Sequence, residues 1–198
     1  MTAALYEHTT TNAVEFVGVD LSENMVAEYN AKFSTRSSEV KKEAPKAHAY
    51  VGDLVTPADL PRILPDVDVE GEAEIPISGS FDLVIVGYAF HHFASPPRAA
   101  KRLAGCLKPG GVLMIVELAV HDPEPEAEAE KAGRKQGVKT AYGFEEEEVK
   151  DFFEGVGLVD FDALRMEGGV VIRSSHGGDS QGKGQEMGAF MARARKPA

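Results

Sequence analysis

Residues 81–118 read FDLVIVGYAFHHFASPPRAAKRLAGCLKPGGVLMIVEL, and this stretch decides the fold. Residues 81–86 (FDLVIV) are nearly all β-branched or apolar, as a strand buried on both faces must be. Pro96 and Pro97 suit the first turn of a helix, where a missing N–H costs nothing. Ala100, Leu103 and Leu107 supply that helix with an inner face, and Lys108-Pro109-Gly110-Gly111 reads as a stop and a turn. Residues 112–118 (VLMIVEL) then form a second buried strand. Strand, helix and strand in succession make the crossover unit of a parallel sheet.

The flanking sequence repeats the pattern. Residues 14–20 (VEFVGVD) read as a buried strand, and Ser22 stands at an N-cap position. Met25, Val26, Tyr29 and Phe33 follow at helical spacing, which predicts a helix to about Phe33, with polar residues 34–46 as a connection. Residues 47–51 form a second short strand, followed by Gly52-Asp53. Residues 54–80 hold four of the eleven prolines and read as loop with room for one helical turn. Residues 144–154 predict a helix whose four glutamates lie in the first turn, where the macrodipole favours them. Its inward residues are Val149, Phe152, Phe153 and Val156, and Gly155 and Gly157 end it. Residues 159–166 and 186–194 read as closing strands around a Gly/Ser-rich loop at 174–184. The fold class expected is α/β, a Rossmann-like, doubly wound and mostly parallel sheet with an antiparallel C-terminal edge hairpin.

A chain of 198 residues suits a single domain, 1–198, and its 43% hydrophobic and 27% charged residues exclude disordered and fibrous classes. The net charge of −11 argues against a nucleic-acid surface. Most of it comes from residues 117–160, with 13 acids against 5 bases, read as a solvated segment. One cysteine, Cys106, permits no intrachain disulfide, and it falls on the inner face of a helix as a small core residue. His8, His48, His121 and His176 show no ligand spacing, so no metal is expected. No apolar run reaches membrane-spanning length, residues 1–12 hold no signal segment, and a cytoplasmic location follows as the expectation. Residues 177–184 (GGDSQGKG) precede a strand and open no helix, so they read as a hairpin loop and not a phosphate cradle.

In an open α/β sheet, ligands bind beyond the carboxyl ends of the strands. The residues standing there are Asp20, Asp53, Gly87 with Tyr88, and Glu117. One strand-end acid can accept hydrogen bonds from vicinal ribose hydroxyls, and an acid one strand over can accept from an adenine amino group. Together they describe an adenosine site; alone, Asp20 reads as a cap on the helix that begins near Ser22. His91 and His92 follow the third strand and are candidate general bases, set against a plain packing role at a helix start. Tyr88 and Glu117 are further candidates for polar contacts in the pocket.

Four segments in order, EFVGVDLSENMV, AYVGDL, FDLVIVGYAFHHF and LKPGGVLMIVEL, resemble successive motifs of the class I S-adenosylmethionine-dependent methyltransferases. The HHF and LKPGG spacing is most similar to the small-molecule branch that includes ubiquinone- and menaquinone-type C-methyltransferases. GFEEEEVKDFFEGVGLVDF and MGAFMARARKP resemble that branch's last helix and closing strands, so the resemblance spans roughly residues 14–196. It implies S-adenosyl-L-methionine as cofactor and a small organic molecule as methyl acceptor. It assigns Asp20 to the ribose hydroxyls, Leu21 to packing on the adenine, Asp53 to the adenine amino group with Leu54 beside it, and Gly87 and Tyr88 to the methionine part. The catalytic candidates are then His91, His92 and Tyr88.

The family also carries a strand and a Gly-rich loop ahead of the Asp20 strand, within a sheet of order 3-2-1-4-5-7-6. Here residues 1–13 (MTAALYEHTTTNA) contain no glycine. The expectation is a domain truncated at its N-terminus, with the first, central strand missing. The strands at 14–20 and 81–86 would then pair directly, or residues near the N-terminus, or a partner chain or second copy, would fill the gap. This feature carries an alternative reading, a catalytically inactive methyltransferase-like remnant or partner-binding subunit. An NAD-dependent oxidoreductase would also explain Asp20, but it requires a G-x-G-x-x-G before that strand and leaves HHF and LKPGG without a role.

Overall fold

The computed structural model describes residues 14–39, 46–55, 63–64, 75–119, 143–168, 170–172 and 185–198, which fall in two units, Met1–Ser80 and Phe81–Ala198. In the first unit, β1 (Glu15–Asp20) runs parallel to β2 (Lys46–Val51), from Glu15 opposite Lys46 to Asp20 opposite Val51. Helix α1 (Glu23–Glu39) makes the crossover and lies against both strands. Its contact face is built by Val26 and Phe33, both buried, with the Tyr29 and Phe33 rings 4.6 Å apart. Met25, expected on that face, is 55% exposed. The helix also runs six residues past Phe33. The following segment, STRSSE, is polar but holds neither Gly nor Pro, and polarity alone does not stop a helix.

Asn30 of α1 fastens the helix to β2. Its side chain accepts from the Ala49 N–H at 2.7 Å and donates to the Ala49 carbonyl at 3.0 Å, so one amide satisfies both main-chain groups of one residue. The region expected to be loop, 54–80, contains a short antiparallel pair, β3 (Ile63–Leu64) with β4 (Ile75–Pro76).

In the second unit, β5 (Phe81–Gly87) pairs parallel with β6 (Leu107–Leu118). A 3₁₀ turn (Phe90–His92) and helix α2 (Pro96–Cys106) connect them, with the two prolines in the first turn of α2 as predicted. After β6 come α3 (Glu146–Glu154), β7 (Val159–Arg165), β8 (Val170–Ile172), β9 (Gln185–Met187) and β10 (Ala189–Arg195). The sheet order is β5-β6-β10-β7, with β10 antiparallel to both neighbours; β8 and β9 form a separate antiparallel pair. The four-stranded order is the 4-5-7-6 half of the order implied by the resemblance, and β1 with β2 matches its 2-3 pair. The fold is therefore Rossmann-like α/β, with parallel pairs joined by helices and antiparallel strands at the C-terminal side.

Burial refines the strand readings. The second half of β6 is enclosed, with Leu113, Ile115, Glu117 and Leu118 all buried, because β6 lies between β5 and β10. Strand β5, expected to be buried on both faces, has no fully buried residue; among the described residues it pairs with β6 alone. No residue of β1 is fully buried either. The Lys108–Gly111 segment is a bulge within β6: Phe81 faces Leu107 and Leu83 already faces Val112. The C-terminal segment closes this bulge, with Gly110 N–H donating to the Lys196 carbonyl at 3.0 Å and Lys196 N–H to the Gly111 carbonyl at 2.8 Å. The Lys196 ammonium donates to the carbonyls of Ala104 (3.2 Å) and Leu107 (2.7 Å), where the negative end of the α2 dipole favours a cation.

Candidate functional site

The two acids singled out in the first unit are built alike. Asp20 ends β1, and its Oδ1 accepts the Ser22 N–H at 2.8 Å; Asp53 follows β2, and its Oδ1 accepts the Val55 N–H at 2.8 Å. Both are Asx turns, in which a short carboxylate accepts the main-chain N–H two residues ahead. The strands are neighbours in parallel register, and Gly52 N–H donates to the Asp20 carbonyl at 2.9 Å. Both acids thus stand at the carboxyl end of one parallel pair. Capping of α1 falls to Ser22, whose Oγ accepts the Met25 N–H at 3.4 Å, so Asp20 shapes the approach to the helix instead of ending it. Leu21 is 73% exposed, an apolar side chain left in solvent directly beside Asp20, while Leu54 is half-buried.

In the second unit, Gly87 ends β5 and Tyr88 turns the chain away from it. Tyr88 takes a left-handed backbone, φ 53°, which costs a bulky residue free energy and is imposed here by its N–H bond to the Val116 carbonyl at 2.7 Å. Its ring remains partly exposed, with the hydroxyl 3.9 Å from Met166 Sδ. Phe90, fully buried, anchors the following 3₁₀ turn among the rings of Phe93, Phe144 and Phe152 at 5.6–6.3 Å. Phe144 is itself held by its N–H bond to the Leu118 carbonyl at 3.0 Å.

Glu117 is where the structure adds most to the sequence reading. It is fully buried, and its carboxylate faces three donors. Oε2 accepts the His91 N–H at 3.1 Å; Oε1 accepts the Leu118 N–H at 2.8 Å and lies 2.8 Å from His91 Nδ1. The His91 side chain is 12% exposed, and the His92 ring lies against it with centroids 4.0 Å apart. Asp20 with Asp53, and His91 with His92 and Glu117, are therefore the groupings the fold brings together. Strand-end position signals both from sequence; the Asx turns, the Asn30 clasp and the pairing of Glu117 with His91 depend on spacings of 19 and 26 residues or on local main-chain geometry, which no motif encodes.

Cys106 is 2% exposed, and burial pushes its thiol up to about 11, so it stays protonated at neutral pH and is a core residue. Among the described residues no helix is long and apolar enough to cross a membrane, and no group of three His, Cys, Asp or Glu is placed to hold a metal ion.

A family model described as a methyltransferase domain matches residues 2–115. An uncharacterized methyltransferase of Schizosaccharomyces pombe is 32% identical over 117 residues, 59% of this chain and 36% of the relative, so the match spans about a third of that protein's length. Among solved structures, the YcgJ protein of Bacillus subtilis covers all of this chain, which in turn covers 87% of it, at 16% identity and a TM-score of 0.62. A protein of Methanosarcina mazei described among SAM-dependent methyltransferases matches 92% of this chain and 82% of its own, at 14% identity and a TM-score of 0.55. These two share the fold, whereas the family model extends over more than half of the chain. The chain belongs to the methyltransferase-domain family.

Proposed function

We propose that the chain works as one methyltransferase-like domain, transferring a methyl group from S-adenosyl-L-methionine to a small organic acceptor. The observation that carries this reading is the matched pair of strand-end acids, Asp20 and Asp53, on adjacent parallel strands. The donor set fits an adenosine group: acids accept from ribose hydroxyls and from an exocyclic amine, and exposed Leu21 offers an apolar surface for a purine. In this reading Asp20, Leu21, Asp53 and Leu54 hold the nucleoside, and Gly87 and Tyr88 the amino-acid end. His91, His92 and Tyr88 serve the acceptor. The cofactor supplies an activated methyl on a sulfonium, so the protein's task is chiefly to orient the acceptor and exclude water. The HHF and LKPGG motifs favour the ubiquinone- and menaquinone-type C-methyltransferase branch, acting in the cytoplasm.

A second reading is a partner-binding subunit without turnover. Incubation with methyl-labelled S-adenosylmethionine and a fractionated metabolite extract separates the two. Label entering a low-molecular-mass product, and lost in Asp20→Asn, supports methyl transfer. Labelling no different from a protein-free control supports the second reading.

A further inference from the structure

We infer that Tyr88, Leu164 and Met166 form an apolar shelf at the carboxyl end of the second unit's sheet. The shelf takes the uncharged, apolar body of the methyl acceptor, with the Tyr88 hydroxyl donating to an oxygen on that body. The inference rests on the methyl-transfer reading above and names the chemical class of the acceptor.

Strand register builds the shelf. Leu164 of β7 stands opposite Met191 of β10, Met191 opposite Val116 of β6, and Val116 opposite Gly87 of β5, so one row crosses all four strands. Residues opposed in this way project to the same face of a sheet. Phe190 and Ala192, which flank Met191 in sequence, are fully buried and so belong to the other face. Met166 comes two residues after Leu164, back on the Leu164 face, and its N–H bond to the Ala189 carbonyl at 2.8 Å holds it in line with the strand. Tyr88 follows β5 and Met166 follows β7, with β6 and β10 between those strands. The Tyr88 hydroxyl nevertheless lies 3.9 Å from Met166 Sδ, so the two side chains reach toward each other across the intervening strands.

Exposure, hydrogen bonding and charge point to the same ligand. Leu164 is 63% exposed, Met166 44% and Tyr88 39%, and large apolar side chains left open side by side mark a binding surface. The left-handed backbone of Tyr88 costs free energy that glycine or asparagine would avoid, and what it presents is this ring and its hydroxyl. That hydroxyl faces a thioether, a weak acceptor, so a ligand hydroxyl or carbonyl oxygen makes the better bond. Every charged side chain of β7 and β10 is already paired: Arg193 with Asp162 at 2.9 Å, Arg195 with Asp160, and Arg165 with Glu146 at 2.6 Å. An anionic ligand therefore finds no uncommitted guanidinium on these strands, and burying its charge against the shelf is unfavourable. In the methyl-transfer reading Tyr88 also adjoins the methionine part of the cofactor, so the shelf is continuous with the place where the methyl leaves.

Methyl NMR of the full chain labelled with carbon-13 at methionine tests the shelf, with 1-naphthol as the uncharged probe and 1-naphthoate as its anionic counterpart. Met166→Leu assigns the Met166 signal, and Met25, exposed on α1, is the internal control. The expected result is a saturable shift of Met166 with 1-naphthol while Met25 stays still. Binding of 1-naphthoate should be about tenfold weaker or more, and Leu164→Ser should weaken 1-naphthol by about fivefold to tenfold. Because Leu164 is mostly exposed, that variant removes shelf surface without opening the core. A Met166 signal unmoved at millimolar 1-naphthol, one that moves no more than Met25, or 1-naphthoate binding as tightly as 1-naphthol overturns the inference. So does a dimer in sedimentation velocity that Leu164→Ser dissociates, since a second copy would then occupy the shelf. If 1-naphthol binds as expected but S-adenosylhomocysteine gives no saturable heat in calorimetry, the methyl-transfer reading fails and the apolar site stands.

Discussion

Gly143→Ala is the sharpest test of how the site is held. Gly143 is buried with φ +109°, and a Cβ there would overlap the Leu118 carbonyl oxygen and stand 2.7 Å from its carbonyl carbon. Those atoms are main chain in β6 and cannot swing aside. The same carbonyl accepts the Phe144 N–H at 3.0 Å, which seats Phe144 against Phe90 one residue ahead of His91. A non-glycine residue in this backbone region costs of order 1–3 kcal/mol, and loss of the Leu118–Phe144 bond adds about 1 kcal/mol. For a chain of 198 residues each kcal/mol lowers Tm by about 2–4 °C, so the expected drop is roughly 5–15 °C by circular dichroism. Gly157→Ala is the control: φ is +81° but nothing lies within 4 Å of the added carbon, so strain alone, about 1 kcal/mol, should appear. If Gly143→Ala melts no lower than Gly157→Ala, the close approach of the 143–144 segment to β6 does not hold the aromatic cluster as argued.

Two further outcomes follow from single residues. The Cys106 thiol, at about 11 when folded, ionises at lower pH in the unfolded chain, so its contribution is complete below about pH 8.5 and is lost as pH rises toward 11. Urea midpoints should therefore fall from pH 8.5 to 11 more steeply in the wild type than in Cys106→Ala; parallel declines would contradict this. Tyr88→Asn should raise Tm by roughly 2–4 °C, because asparagine tolerates a φ of 53° and the partly exposed ring gives up little packing, while cofactor affinity drops. A lower Tm would show that Tyr88 contributes packing that outweighs its backbone strain.

Elements with both a periodic pattern and a chemical boundary were legible from sequence. Pro96 and Pro97 open α2, and the strand following β5 and α2 carries the run of apolar residues that its central place demands. Boundaries without chemistry were not. Helix α1 continues through STRSSE because nothing there breaks it, and Lys108–Gly111 bulges within a strand because its partner β5 resumes pairing at Leu83. Degree of burial was also invisible: FDLVIV has the composition of a strand buried on both faces, yet no residue of β5 is fully buried. At the site, Asp20 and Asp53 could be found because they end strands, and their carboxylates prove to share one Asx geometry. Glu117 carried the same positional signal, but its hold on His91 spans 26 residues and exists only once β6 and the 3₁₀ turn are folded.

The central claim is that Asp20 and Asp53 together hold the nucleoside of S-adenosylmethionine. Charge-assisted hydrogen bonds contribute about 1.5–3 kcal/mol each, so the two acids alone account for a Kd of roughly millimolar to tens of micromolar. Calorimetric titration of the purified chain with S-adenosylhomocysteine tests this directly, with Asp20→Asn and Asp53→Asn chosen because asparagine retains the Oδ1 that each turn requires. The prediction is saturable heat at or below a millimolar Kd, weakened about tenfold or more by either substitution. No saturable heat at millimolar ligand, or an affinity unchanged in both variants, would contradict it.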